Sequence, residues 1–226
     1  MRRALAIDEH NFGNNHSSVA RDLTNLAQLL QATKRLAEAG PLMRRSLAID
    51  EGNYGSSHPQ VAFRLNNIAT LMYATNRLVE AELLMQRALA IDEEDFGSNS
   101  PQFALRLNNI ATLMCTTNRL ADAEPLMRRA LAIDEVSYGP EHPDVARDLN
   151  NLAQLLQATN RLSEDELLSR KHLLIFLSML RQGFQHPNLH AAIGNYAALL
   201  KEMGNSEEDI QTKLKALVTE ATGEIL

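Results

Sequence analysis

The chain has 226 residues, 45% of them hydrophobic and 22% charged, with no tryptophan and one cysteine. That apolar share suits a packed core and excludes a disordered chain, while a formal charge of −6 opposes a general nucleic-acid surface, whose affinity rests on Lys and Arg neutralising phosphates. Cys115 alone forbids an internal disulfide, and the longest apolar run, Leu173 to Leu180, is far shorter than the roughly 18 residues that span a bilayer, so no membrane contact and a cytoplasmic setting are expected.

The first residues, MRRALAIDE, have only a short apolar stretch, Ala4 to Ile7, before Asp8 and Glu9; that is too brief for a signal-peptide core. The same pattern returns at Met127 to Glu135, so the start reads as the second half of a unit that lacks its first half. LAIDE begins at Leu5, Leu47, Leu89 and Leu131, a period of 42 residues, and Ile175 continues the series.

Each full unit holds two helical segments. In the first, helix A, Pro59 occupies a first helical position behind His58, and His16, Ser100, His142 and His186 stand at the matching cap position. Leu65, Ile68, Ala69 and Met72 form its apolar stripe. Asn76, Asn118, Asn160 and Gly204 follow helix A, where a left-handed residue ends a helix, with Lys34 as the exception. Helix B carries Leu78, Ala81, Met85, Ala88 and Leu89, and Gly13, Gly55, Gly97 and Gly139 follow its copies. The frame then shifts: His142-Pro143 reappears as His186-Pro187, 44 residues on, which places a two-residue insertion near Phe176 to Phe184. Ser206 opens a last amphipathic segment with Ile210, Leu214, Leu217 and Val218 on one side.

Residues 138–162, YGPEHPDVARDLNNLAQLLQATNRL, and 80–93, EAELLMQRALAIDE, resemble the 42-residue tetratricopeptide repeat of the kinesin light chain type. HEAT and armadillo repeats have similar periods, but the Glu-Ala pair after the inter-helix turn and the Arg-Ala-Leu ending favour the tetratricopeptide reading. The resemblance implies an all-α fold, a right-handed superhelix (α-solenoid) of antiparallel helix pairs whose A helices line a concave groove. The expected array covers 1–204, with a half repeat at 1–13 and repeats starting near 16, 58, 100, 142 and 186. Residues 205–226 are then a terminal B helix or a capping helix.

Helix A contains an asparagine pair, an unfavoured residue in a helix interior because its amide competes for the backbone. On a wheel with Leu65 at zero, Asn67 falls at about 200°, Phe63, Thr70 and Ala74 lie near it, and Asn66 stands on the shoulder at about 100°. Asn25, Asn67, Asn109, Asn151 and Asn195 share that register, whereas Thr24, Asn66, Asn108, Asn150 and Gly194 share the other. An amide offers both donor and acceptor to peptide backbone, so the five are expected to form a ladder in a peptide-binding groove. Against it stands the reading that these amides bond neighbouring helices, the better one for Asn66, Asn108 and Asn150.

Neighbouring groove positions read Arg21, Phe63, Leu105, Arg147 and Ala191 in one register and Gln31, Tyr73, Cys115, Gln157 and Lys201 in another. Together with Thr70 and Thr112 they suggest an apolar middle flanked by arginines, suited to an extended protein segment with an apolar anchor and acidic neighbours. Phe63 and Leu105 packing against adjacent repeats is the competing account. Seven histidines invite a metal, but four recur at a cap position that Ser100 also fills. The Asp-Glu pairs closing each helix B read as solvated charge, with Arg44-Arg45 and Arg128-Arg129 as outer-surface counterparts. With no convergent catalytic set and no phosphate loop, neither an enzyme nor a cofactor is expected. A structural or sensory segment of a larger signalling protein, self-associating through exposed repeat ends, is the alternative function.

Overall fold

The computed structural model describes residues 1–222, and every regular element there is a helix. The order is α1 (Arg2–Phe12), α2 (Ser17–Ala32), α3 (Leu36–Tyr54), α4 (Pro59–Ala74), α5 (Leu78–Phe96), α6 (Pro101–Thr116), α7 (Leu120–Tyr138), α8 (Pro143–Ala158), α9 (Leu162–Arg181), α10 (Leu189–Glu202) and α11 (Glu207–Thr222). Two compact units divide it, Met1–Leu113 and Met114–Leu226. The expected terminal segment is α11 as far as Thr222; residues 223–226 lie outside the described part.

Short turns join each A helix to its B helix, which makes them antiparallel neighbours. The turn is a Schellman closure: Arg77 N–H reaches Met72 C=O at 2.8 Å and Asn76 N–H reaches Tyr73 C=O at 3.0 Å. Asn76, Asn118 and Asn160 have φ of 58–59°, and Lys34 takes φ 62° in the same role, so the odd residue in sequence is not odd in conformation.

In the first unit the anticipated stripe is the core. Leu65, Ile68, Ala69 and Met72 of α4 are buried, with Ala81, Met85 and Ala88 of α5. Val19, Ala20, Leu23 and Ile49 form the matching cluster for α2 and α3. Each fully buried leucine contributes about 1.5–3 kcal/mol through removal of apolar area from water. In contrast, α1 buries no residue, and Ile7 lies exposed where Ile49 and Ile91 are interior.

In the second unit one cluster joins Val145, Ala146 and Leu149 of α8, Leu173, Phe176 and Leu177 of α9, Tyr196 and Leu200 of α10, and Ile210 and Leu217 of α11. The insertion is resolved into geometry here: α9 has 20 residues against 19 in α7, and ends in its own Schellman turn, with Phe184 N–H to Met179 C=O at 3.0 Å. Helix α10 starts at Leu189, later than Pro187 suggested, because Asn188 N–H is taken by the His186 ring in a turn ahead of it.

Candidate functional site

The capping histidines explain themselves at atomic scale. Nδ1 of His16, His58 and His142 accepts the N–H two residues on, at 3.1–3.2 Å, and Ser100 Oγ does the same work for Phe103 N–H. Each histidine also stacks on the aromatic that closes the preceding helix: Phe12 on His16, Tyr54 on His58, Tyr138 on His142. The aromatic four residues before each histidine was a readable signal that the sequence reading passed over. Among the described residues no group of three or more His, Cys, Asp or Glu could hold a metal ion.

On the face of helix A away from the core, the first unit exposes Phe63 at 43%, Tyr73 at 38% and Leu105 at 38%. Phe63 and Leu105 thus lie at the surface and not in the interior. Arg64 lies with its guanidinium 5.4 Å from the Phe63 ring centre. Beside them a cavity of about 180 Å³ opens between α4, α5 and α6, lined by Thr70, Tyr73, Met85, Asn109, Thr112 and Leu113. Thr70 and Thr112 donate to their own helix at Asn66 C=O and Asn108 C=O, at 3.0 and 2.8 Å, so their hydroxyl protons are already used.

The asparagines divide by neighbour. Asn109 Nδ2 donates to Asn66 Oδ1 at 2.8 Å, a bond between successive A helices that leaves Asn109 Oδ1 as its remaining amide acceptor. One repeat earlier the partner register holds Thr24, whose hydroxyl already sits among Ala20 C=O, Ser46 Oγ and Arg64 Nη1 at 2.8–3.0 Å. Asn67 Nδ2 is accordingly buried with no hydrogen-bond partner among the described residues. Asn25 and Asn195 are exposed, and Asn67, Asn109 and Asn151 are half-buried.

Residues 19–94 and 103–164 match the family described as tetratricopeptide repeat. The chain belongs to the tetratricopeptide repeat family. Its fold is similar to that of BtubC (BKLC) from P. vanneervenii, with a TM-score of 0.76 and 22% identity over 98% of this chain and 87% of that one. It is also similar to a Podosopora anserina putative kinesin light chain with nearly identical TPR-like repeats, with a TM-score of 0.71 and 21% identity over 92% and 99% of the two chains. The structure of a point variant of that protein gives 0.73 and 22% over the same shares. No curated protein matched the sequence.

One expectation for these tetratricopeptide repeats is overturned. In three of the four Asp-Glu pairs the Asp is not solvated: Asp50, Asp92 and Asp134 are buried, while Asp8 is half-buried. Asp50 accepts from Arg64 Nε and Asp92 from Arg106 Nε, both at 2.7 Å. A buried aspartate needs that guanidinium, because desolvation alone pushes its carboxyl up; for Asp92 burial dominates and Arg106 only partly offsets it. The Glu of the pair does face outward, where Arg45 reaches Glu9 at 2.6 Å and Arg87 reaches Glu51 at 2.7 Å, each also bonding a loop carbonyl of the preceding repeat.

The two flanking arginines occupy a different place from Arg64 and Arg106. Arg21 is exposed, 3.6 Å from Asp8 and 3.7 Å from Asp22. Arg147 is bound by Asp134, Asp144 and Asp148. Where the outer position is Phe63 or Leu105 the next residue is an interior arginine, and where it is Arg21 or Arg147 the next residue is an aspartate. That alternation within one chain was visible in the sequence and marks the ion pairs.

Proposed function

We propose that this protein is an interaction module whose exposed A-helix face in the first unit takes an extended segment of another protein. The observation that carries it is the cavity of about 180 Å³ at Tyr73, Met85 and Leu113, set beside three large apolar side chains left at the surface. Contiguous exposed apolar surface rimmed by polar groups marks binding sites, and buried anchors dominate such interfaces. The cavity suits one aliphatic or aromatic anchor. Asn109 Oδ1 offers an acceptor to a backbone N–H of the bound segment, and Asn25 and Asn67 share its register in the first unit, as Asn151 and Asn195 do in the second. Arg21, largely exposed, suits an acidic residue at the first-repeat end. Arg147 belongs to the second unit, where Asp134, Asp144 and Asp148 engage it.

Twelve-residue peptides selected from a random phage-displayed library against the intact chain test this reading. They are expected to share an apolar anchor and to lose at least about 10-fold in affinity, or roughly 1.4 kcal/mol, on Tyr73→Ala or Leu105→Ala with Tm unchanged. Peptides that bind the variants and the parent equally would remove the face from consideration.

A further inference from the structure

Asp134 near the end of α7 and Asp148 on α8 have side chains 2% and 0% exposed. Both meet the same nitrogen of Arg147: Nη2 is 3.2 Å from Asp134 Oδ2 and 3.1 Å from Asp148 Oδ1. The third carboxylate, Asp144, holds Arg147 Nη1. One guanidinium thus serves three acids, two of them interior. In the repeats of α4 and α6 the same two registers hold one acid and one cation, Asp50 with Arg64 and Asp92 with Arg106. Asp134 Oδ1 is buried and accepts from no donor among the described residues, and the Asp134 and Asp148 carboxyls lie within hydrogen-bonding reach of each other. Two neighbouring carboxylates in a dry interior cannot both ionise cheaply, and the cheapest remedy is a proton between them.

We propose that Asp134 and Asp148 share one proton, and that its release as pH rises is a switch that binds Arg147 wholly to the two inner carboxylates. The consequence reaches the surface because Arg147 and Asp144 line a cleft of about 410 Å³ with Asn150, His172, Phe176 and Asn195. With the proton in place, Arg147 faces one inner negative charge and has donors to spare for an acidic group entering that cleft. With the proton gone, two inner charges hold it and the cleft wall turns net acidic.

The remaining groups around the pair are few. From α7, Tyr138 is raised by burial and by Asp134 and Asp144. His142 at the start of α8 has Nδ1 3.4 Å from Asp144. From α9, burial holds His172 down at about 4, neutral at ordinary pH, and His186 ahead of α10 borders the same cleft. Burial, with Asp134 beside it and Arg147 opposing, pushes Asp148 up to about 7. A carboxyl raised in the folded state stabilises it below the unfolded value near 3.8 and loses that stability as pH rises to about 7, with no further change above.

Carboxyl-carbon NMR of the intact protein tests the proposal. Asp134 and Asp148 are expected to titrate together between about pH 6 and 8, and the Arg147 Nε–Hε resonance to move with the same midpoint. In Asp148→Asn that movement should vanish, and the unfolding constant of the parent should rise relative to the variant by up to about 10-fold per pH unit from about pH 4 to 7. The histidines are common to both proteins, so the difference isolates the pair. Carboxyl shifts that titrate only below about pH 5, or an Arg147 resonance that stays still, would overturn it, and both are read on the parent whether or not the variant folds.

Discussion

Asn67 and Asn109 occupy one register and differ in what stands opposite. Asn109 has an amide acceptor in Asn66; Asn67 faces a threonine whose hydroxyl is shorter and engaged. A buried donor without a partner costs about 1–3 kcal/mol, whereas a typical bond that is made contributes about 1. Asn67→Ala is therefore expected to stabilise the protein by about 1 kcal/mol, helped by the better helix propensity of alanine. Asn109→Ala is expected to be neutral or to cost up to about 1 kcal/mol, because it strands Asn66 Oδ1. Urea midpoints of the two variants check the contrast, and equal shifts would contradict it. The register itself was legible from residue 67 and its four mates. The different fates were not, since they depend on side chains from another repeat, 42 or 43 positions away.

For an element, the informative feature is how each A helix begins. His58 caps α4 through Gln60 N–H and stacks on Tyr54 with ring centres 4.7 Å apart, so one side chain ties the end of α3 to the start of α4. Ser100 keeps the cap and has no ring. His58→Ala should cost about 1–2 kcal/mol, for lost cap and lost stacking together, and His58→Ser about half as much; thermal melts followed by circular dichroism measure both. The helix boundaries could be anticipated because caps, prolines and left-handed asparagines act over three or four residues. The start of α10 could not, because the turn at Asn188 forms around the His186 ring, and that ring stacks on Phe176 from α9, 4.1 Å away.

At the scale of the whole molecule the chain is a tandem of helix pairs in two compact units, and no described helix is long and apolar enough to cross a membrane. The second unit is closed by α11, which begins with a capping box: Ser206 Oγ accepts from Asp209 N–H at 3.1 Å, and Asp209 accepts from Ser206 in return. Its Ile210 and Leu217 are buried in the cluster with Tyr196 and Leu200. Truncation after Gly204 removes these side chains and is expected to cost about 3–6 kcal/mol. The loss should fall on the second unit alone, so calorimetry is expected to split one transition into two, with hydrogen exchange of α2 to α5 unchanged. The 42-residue period, the family and the core stripes were determined by the sequence alone, because short-range periodicity decides which residues can share a helix face. Which aspartates are interior, which arginine answers each, and which asparagine lacks a partner were decided only by tertiary structure. Those facts depend on contacts between successive repeats, where one residue of difference, Thr24 for Asn66 or Asp148 for Arg106, changes the chemistry without altering the pattern.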